Sequence, residues 1–274
     1  MRINDRIRRW KFSRKGRLPC LVFNLTRGIR GGLWLRYDSR REVYHAHIPG
    51  HGARIYLSRP HQAWRMRRGA IARLEQLARM YSLDTVEVAD RDVVVDAGAN
   101  IGELGMYYAL VRGRDVNYFA LEPVDKEVQC CRLNNPGKTV LQQALWKENG
   151  RVRFYRSTAY NDDSSIIEPL HYESAADISA VTVEKFANRH GIDKIKILKV
   201  EAEGAEPEVL MGAEKILHRI EYVAADLGPE RGPEEKSTFP MVVDFLYSRG
   251  FKLASEYGYY RRNFLFRNHN PACR

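Results

Sequence analysis

Cysteine is scarce in this 274-residue chain, and what there is forms no pattern: Cys20, Cys130, Cys131 and Cys273 include no C-x-x-C pair and no zinc-like spacing. Adjacent Cys130 and Cys131 are poorly placed to bridge each other, so free thiols in a reducing cytoplasm is the reading. No apolar run approaches the roughly eighteen residues needed to cross a bilayer. The basic start, Met1 to Arg17, lacks the apolar centre of a signal peptide. Internal repeats and low-complexity tracts are also missing. With 44% hydrophobic and 29% charged residues, the chain has the composition of an ordinary globular protein.

What is present is unevenly distributed. Residues 1–91 carry 21 Lys/Arg against 7 Asp/Glu, and the remainder 24 against 27, so the net charge of +11 belongs to the N-terminal third. A basic surface of this kind attracts nucleic acid, anionic lipid head groups or a charged glycan, or else serves only solubility. Residues 1–20 read as a poorly ordered basic tail and 21–90 as a small β/helix extension. Its expected parts are short strands at Leu21 to Leu25 and Leu33 to Tyr37, a hairpin from Val43 to Leu57, and a helix from Gln62 to Tyr81.

From residue 91 to 274 strands alternate with helices, which predicts a mostly parallel sheet covered on both faces. Expected strands are Val93 to Asp96, Val116 to Leu121, Thr139 to Gln142, Ile195 to Val200 and Glu221 to Leu227, with an extra one at Val152 to Tyr155. The last pair, Phe251 to Ser255 and Asn263 to Phe266, is joined by a link too short for a parallel crossover and must be antiparallel.

The first of these strands feeds Asp96-Ala97-Gly98-Ala99-Asn100-Ile101-Gly102. Glycines there allow a sharp turn and close approach to a ligand, and Asn100 tolerates the positive φ that glycine takes elsewhere. Glu122 ends the second strand about twenty residues on, where a carboxylate accepts ribose hydroxyls. Gln143-Ala144-Leu145-Trp146 follows the third strand, where an adenine ring would lie, with Trp146 either stacked on it or in the core. Glu201 and Glu203 follow the fourth strand and Asp226 ends the fifth, at the sheet edge where open α/β sheets bind ligands. These carboxylates are candidates for general base, substrate anchor or helix-terminus charge, and their oxygens could also hold a divalent cation. His171 and His190 are weaker candidate bases.

Assembled, VVVDAGANIG (93–102), ALEP (120–123), ALWKENGRVRFY (144–155), NDDSSI (161–166), VTVEKF (181–186) and IKILKVEAEGAEPEVLMGA (195–213) resemble the FkbM family of methyltransferases over the last two-thirds of the chain. The resemblance implies a class I, Rossmann-like α/β fold with a seven-stranded sheet. It also implies S-adenosylmethionine as cofactor and O-methylation of a sugar, glycolipid or related product. By position it assigns Asp96, Gly98, Asn100 and Gly102 to the cofactor loop and Glu122 to the ribose; Ala144 and Leu145 are cofactor-binding candidates from their place after the third strand. Glu201 stands where the family commonly has aspartate, one methylene further out. No Asp/Asn-Pro-Pro-aromatic motif follows the fourth strand and no cysteine stands there, which disfavours nucleic-acid base methylation. An RNA-binding methyltransferase and a membrane-peripheral enzyme tethered by the basic start remain the competing readings.

Overall fold

The computed structural model describes residues 16–28, 32–156, 164–258 and 262–270. Most of the expected basic tail (1–15), the first three residues of NDDSSI (161–163) and Cys273 lie outside them.

The extension opens with a helix, Arg17–Phe23, continued by a wider turn, Asn24–Gly28, where strands had been expected from Leu21. Short apolar runs do not distinguish the two by pattern. Helical spacing buries Cys20 and Phe23 together, and the Asn24 amide closes the segment by pairing both ways with the Leu35 backbone. Strands β1 (Arg36–Asp38), β2 (Val43–Ile48) and β3 (Ala53–Leu57) then form an antiparallel sheet, so the expected hairpin is present. The expected helix from residue 62 is two helices, Gln62–Arg65 and Ala70–Met80, because Gly69 adopts φ 103° between them.

The strands of the remaining chain are β4 (Val93–Ala97), β5 (Asn117–Leu121), β6 (Thr139–Leu141), β7 (Ala144–Leu145), β8 (Gly150–Arg156), β9 (Ser174–Val181), β10 (Ile195–Val200), β11 (Ile220–Asp226), β12 (Pro229–Arg231), β13 (Lys236–Ser237), β14 (Phe251–Tyr257) and β15 (Asn263–Asn268). Seven of them make one sheet in the order β6-β5-β4-β10-β11-β15-β14. The five from β6 to β11 are parallel, and β15 runs antiparallel to both its neighbours, as the short final link requires. Strand β9, which pairs with β7 and β8, had no counterpart in the sequence reading; it is largely exposed, so no apolar alternation marks it.

Side chains alternate across the sheet. Val94, Ile197 and Leu265 face one core, shared with Leu57, Leu74 and Tyr81 of the extension. Val95, Leu198 and Phe266 face the other, under Phe186, Leu210 and Leu246. The extension is therefore packed into one of the two cores of the sheet. Between β4 and β10 the strand order reverses, and at that switch point a crevice opens beyond the carboxyl ends of the strands.

Candidate active site

A cleft of about 750 Å³ occupies this crevice. Asp96, Gly98, Asn100, Glu122, Ala144, Leu145, Glu201 and Glu203 line it. In the loop after β4, Gly98 and Gly102 take φ 70° and 79°, and Asn100 takes φ 49°. Space explains the glycines as firmly as torsion does. A Cβ on Gly98 would lie 1.9 Å from the Glu201 carbonyl oxygen, and one on Gly102 would lie 2.2 Å from Asn135 Nδ2. These glycines let the loop approach neighbouring protein, not only a ligand. Asn100 is braced from the extension, since Gln62 Nε2 donates to its Oδ1 at 3.1 Å.

Asp96 and Lys199 are register partners on β4 and β10 and point to the same face. Lys199 Nζ sits 2.9 Å from Asp96 Oδ1, 2.9 Å from Glu201 Oε2 and 3.0 Å from the Gly98 carbonyl. Tyr118 donates to Asp96 Oδ2 at 2.6 Å, and the Tyr81 ring lies 5.5 Å from the ammonium. Burial opposes the Lys199 charge, but the Asp96 and Glu201 carboxylates outweigh it and hold the amine protonated. No role had been assigned to Lys199; the signal was a lysine inside the apolar run IKILKV, since a buried charge must be paired.

Glu122 accepts the Asn100 N–H at one oxygen and the Val124 N–H at the other, both at 2.9 Å. Each oxygen keeps a second lone pair. Burial first, then neighbouring Glu127, pushes this carboxyl up to about 8 against the pull of those N–H bonds. Hydroxyl donors would stabilise the ionised form and lower that value, so a ribose diol bound here would release a proton near neutrality. Affinity for S-adenosylhomocysteine is expected to strengthen as pH rises from about 6.5 towards 8 and then level off. Calorimetry across that window checks it, and Glu122→Gln should bind weakly with a flat profile.

The loop after β10 is held from several sides. Glu206, buried and pushed up to about 7 by its burial, accepts the Ala202 and Gly204 N–H groups. Glu203 takes φ 48°, and Ser165 donates to its carbonyl at 2.7 Å, which ties the serine of the NDDSSI segment to this loop. Arg73 from the extension pairs with Glu103 through two bonds of 2.9 and 3.0 Å. Arg73, Gln62 and Tyr81 were all missed, because nothing local in sequence ties residues 62–81 to a loop starting at 96.

Four other expected positions fall elsewhere. Asp226 is buried, accepts the Gly228 N–H and does not line the cleft, because β11 lies one strand beyond the switch point. Trp146 is outside the cleft too; its backbone N–H donates to the Val181 carbonyl and its own carbonyl abuts Gly212. His171 and His190 are exposed and line nothing, His190 stacking against Phe119 and Phe186. Among the described residues no group of three or more His, Cys, Asp or Glu is arranged to hold a metal ion.

The strand order, the antiparallel terminal strand pair and the loop facing Glu122 define a class I methyltransferase. The residues suit S-adenosylmethionine: Glu122 has free lone pairs for a diol, and Ala144 and Leu145 give an apolar wall. The family model described as "Methyltransferase FkbM domain" matches residues 96–253, and the chain belongs to that family of S-adenosylmethionine-dependent methyltransferases. It is 24% identical over 211 residues to the hexuronic acid methyltransferase AglP of Haloferax volcanii, covering 76% of this chain and 83% of that one. A solved FkbM methyltransferase from Methylobacillus flagellatus KT aligns with a TM-score of 0.47 at 16% identity, over 72% of this chain and 50% of the other. This chain thus spans half the length of that structure. A methyltransferase from Aquifex aeolicus gives 0.38 at 14% identity, over 72% and 96%.

Proposed function

We propose that the enzyme transfers a methyl group to a hydroxyl oxygen of a sugar, glycolipid or related natural product. The observation that carries this is Glu201, a partly exposed carboxylate at the switch point, fixed by Lys199 at 2.9 Å and adjoining the cofactor loop at Gly98. The sugar acid named for AglP supports a carbohydrate acceptor. S-adenosylmethionine supplies an activated methyl group when bound. The protein's part is to hold the acceptor oxygen in line and remove its proton. Glu201 is the base in this reading: its Oε2 is held by Lys199, and the carboxylate takes the hydroxyl proton. Glu203 shares the cleft wall and anchors the acceptor.

The test is incubation with isotopically labelled cofactor and a carbohydrate extract of the source cells, with mass spectrometry of the product. A label on a sugar oxygen is the expected result. Label on RNA, or on a nitrogen or carbon atom, overturns the reading.

A further inference from the structure

The basic excess of the N-terminal third is almost entirely arginine: 19 of its 21 cationic residues. The structure concentrates several of them on one wall of the methyl-transfer cleft. Arg59, Arg65, Arg67, Arg68, Arg73 and Arg79 all line it, and all come from the extension. They are not equivalent. Arg73 is committed to Glu103, Arg59 lies 3.4 Å from Glu127, and Arg79 is loosely paired with Glu75 on its own helix. Arg67 and Arg68 are exposed and make no ion pair or side-chain hydrogen bond with the described residues.

The backbone that presents these two is firm. They occupy the turn between helices Gln62–Arg65 and Ala70–Met80, closed by the Gly69 N–H to the Met66 carbonyl at 2.8 Å. Met66, Ala63 and Ala70 are buried on either side. One turn earlier, Gln62 bonds Asn100 of the cofactor loop, so the platform is registered to the methyl donor site. Unpaired like charges held side by side repel each other, and an anion from outside relieves that. Guanidinium groups are also the side chains best shaped for a carboxylate or phosphate, which they grip through paired N–H bonds.

We propose that Arg67 and Arg68 bind an anionic substituent of the acceptor, a carboxylate or a phosphate on the sugar, and so select acidic over neutral acceptors. This rests on the carbohydrate reading above, yet it assigns a site that the family match, which begins at residue 96, does not include. A nucleic acid would use the same arginines differently. It needs a track of phosphate contacts, whereas Arg67 and Arg68, without an ion pair among the described residues, line a single cleft.

The experiment is equilibrium binding to the full chain saturated with S-adenosylhomocysteine. The probes are glucuronate, glucose 1-phosphate and glucose, tested on wild type, R67A/R68A and the control R114A, whose arginine is exposed and outside the cleft. One or both acids are expected to bind at least ten-fold tighter than glucose, and which acid wins tells carboxylate from phosphate. R67A/R68A should lose that preference while its melting temperature and S-adenosylhomocysteine affinity stay unchanged; R114A should keep it. Equal binding of acids and glucose, or a preference surviving in R67A/R68A, overturns the proposal. So does an RNA oligomer that outcompetes the acids with a steep salt dependence lost in R67A/R68A. The reading itself fails separately: a product methylated off oxygen refutes it even if the acids bind, and a neutral methylated sugar refutes only the arginine site.

Discussion

Lys199→Met lowers the unfolding free energy by about 3–5 kcal/mol, the cost of leaving one member of a buried ion pair alone. Methionine keeps the unbranched shape, so the loss is electrostatic and not a cavity. What it strands is Asp96, which is 1% exposed and then keeps only the Tyr118 hydroxyl. Burial already raises the Asp96 carboxyl above its ordinary value with Lys199 present, and without the ammonium it rises further. A carboxyl whose folded value lies above its unfolded value opposes folding once pH exceeds the unfolded value. The deficit in Lys199→Met is therefore largest at neutral and higher pH and shrinks as acid protonates Asp96. Urea denaturation at two pH values reads this as a lowered midpoint with an unchanged slope. Adding Asp96→Asn should return much of the loss, which a double-mutant cycle quantifies. A single-variant loss under about 1 kcal/mol would mean that the site relaxes and that the Asp96–Lys199–Glu201 chain is not what fixes the loop.

Glu201→Gln should lower kcat by about 10²- to 10⁴-fold, the usual contribution of a positioned base, equivalent to about 3–5 kcal/mol of barrier. The amide keeps the size of the side chain, so S-adenosylhomocysteine affinity should change only a few-fold. Glu203→Gln, by contrast, should act mainly on the acceptor KM, as expected of an anchor. Glu201→Asp retains the carboxylate and the family's usual residue at this position, and should keep more activity than Glu201→Gln. Single-turnover rates with the labelled acceptor separate these outcomes. A fall of less than about ten-fold in Glu201→Gln would move the base elsewhere.

Strands β4, β5, β6, β10 and β11 were readable because strands covered on both faces appear as continuous apolar runs. The terminal pair was readable because a short link permits only antiparallel pairing. Asn100 at φ 49° was also visible, since few residues accept that conformation beside glycine. The helix Arg17–Phe23 and strand β9 were not, one because five apolar residues fit either period, the other because an exposed strand has no period to show. Asp226 was misplaced for a related reason: position at a strand end is local information, while distance from the switch point is set by strand order.

The place of residues 96–102, Glu122 and the glutamates after the fourth strand at the carboxyl edge of the sheet was legible in the sequence alone, because each lies within a few residues of the strand end that places it. Lys199, Tyr81, Gln62 and the arginine wall were decided by the tertiary structure. Asn100 stands 38 residues from Gln62, Glu103 30 from Arg73 and Gly98 101 from Lys199, and only the pairing of β4 with β10 and the packing of the extension on that face bring them together. The charge of the first ninety residues was plain from composition. That six of its arginines line the cleft was not, and for Arg67 and Arg68 it follows from where a buried Met66 and a bend at Gly69 set the turn that carries them.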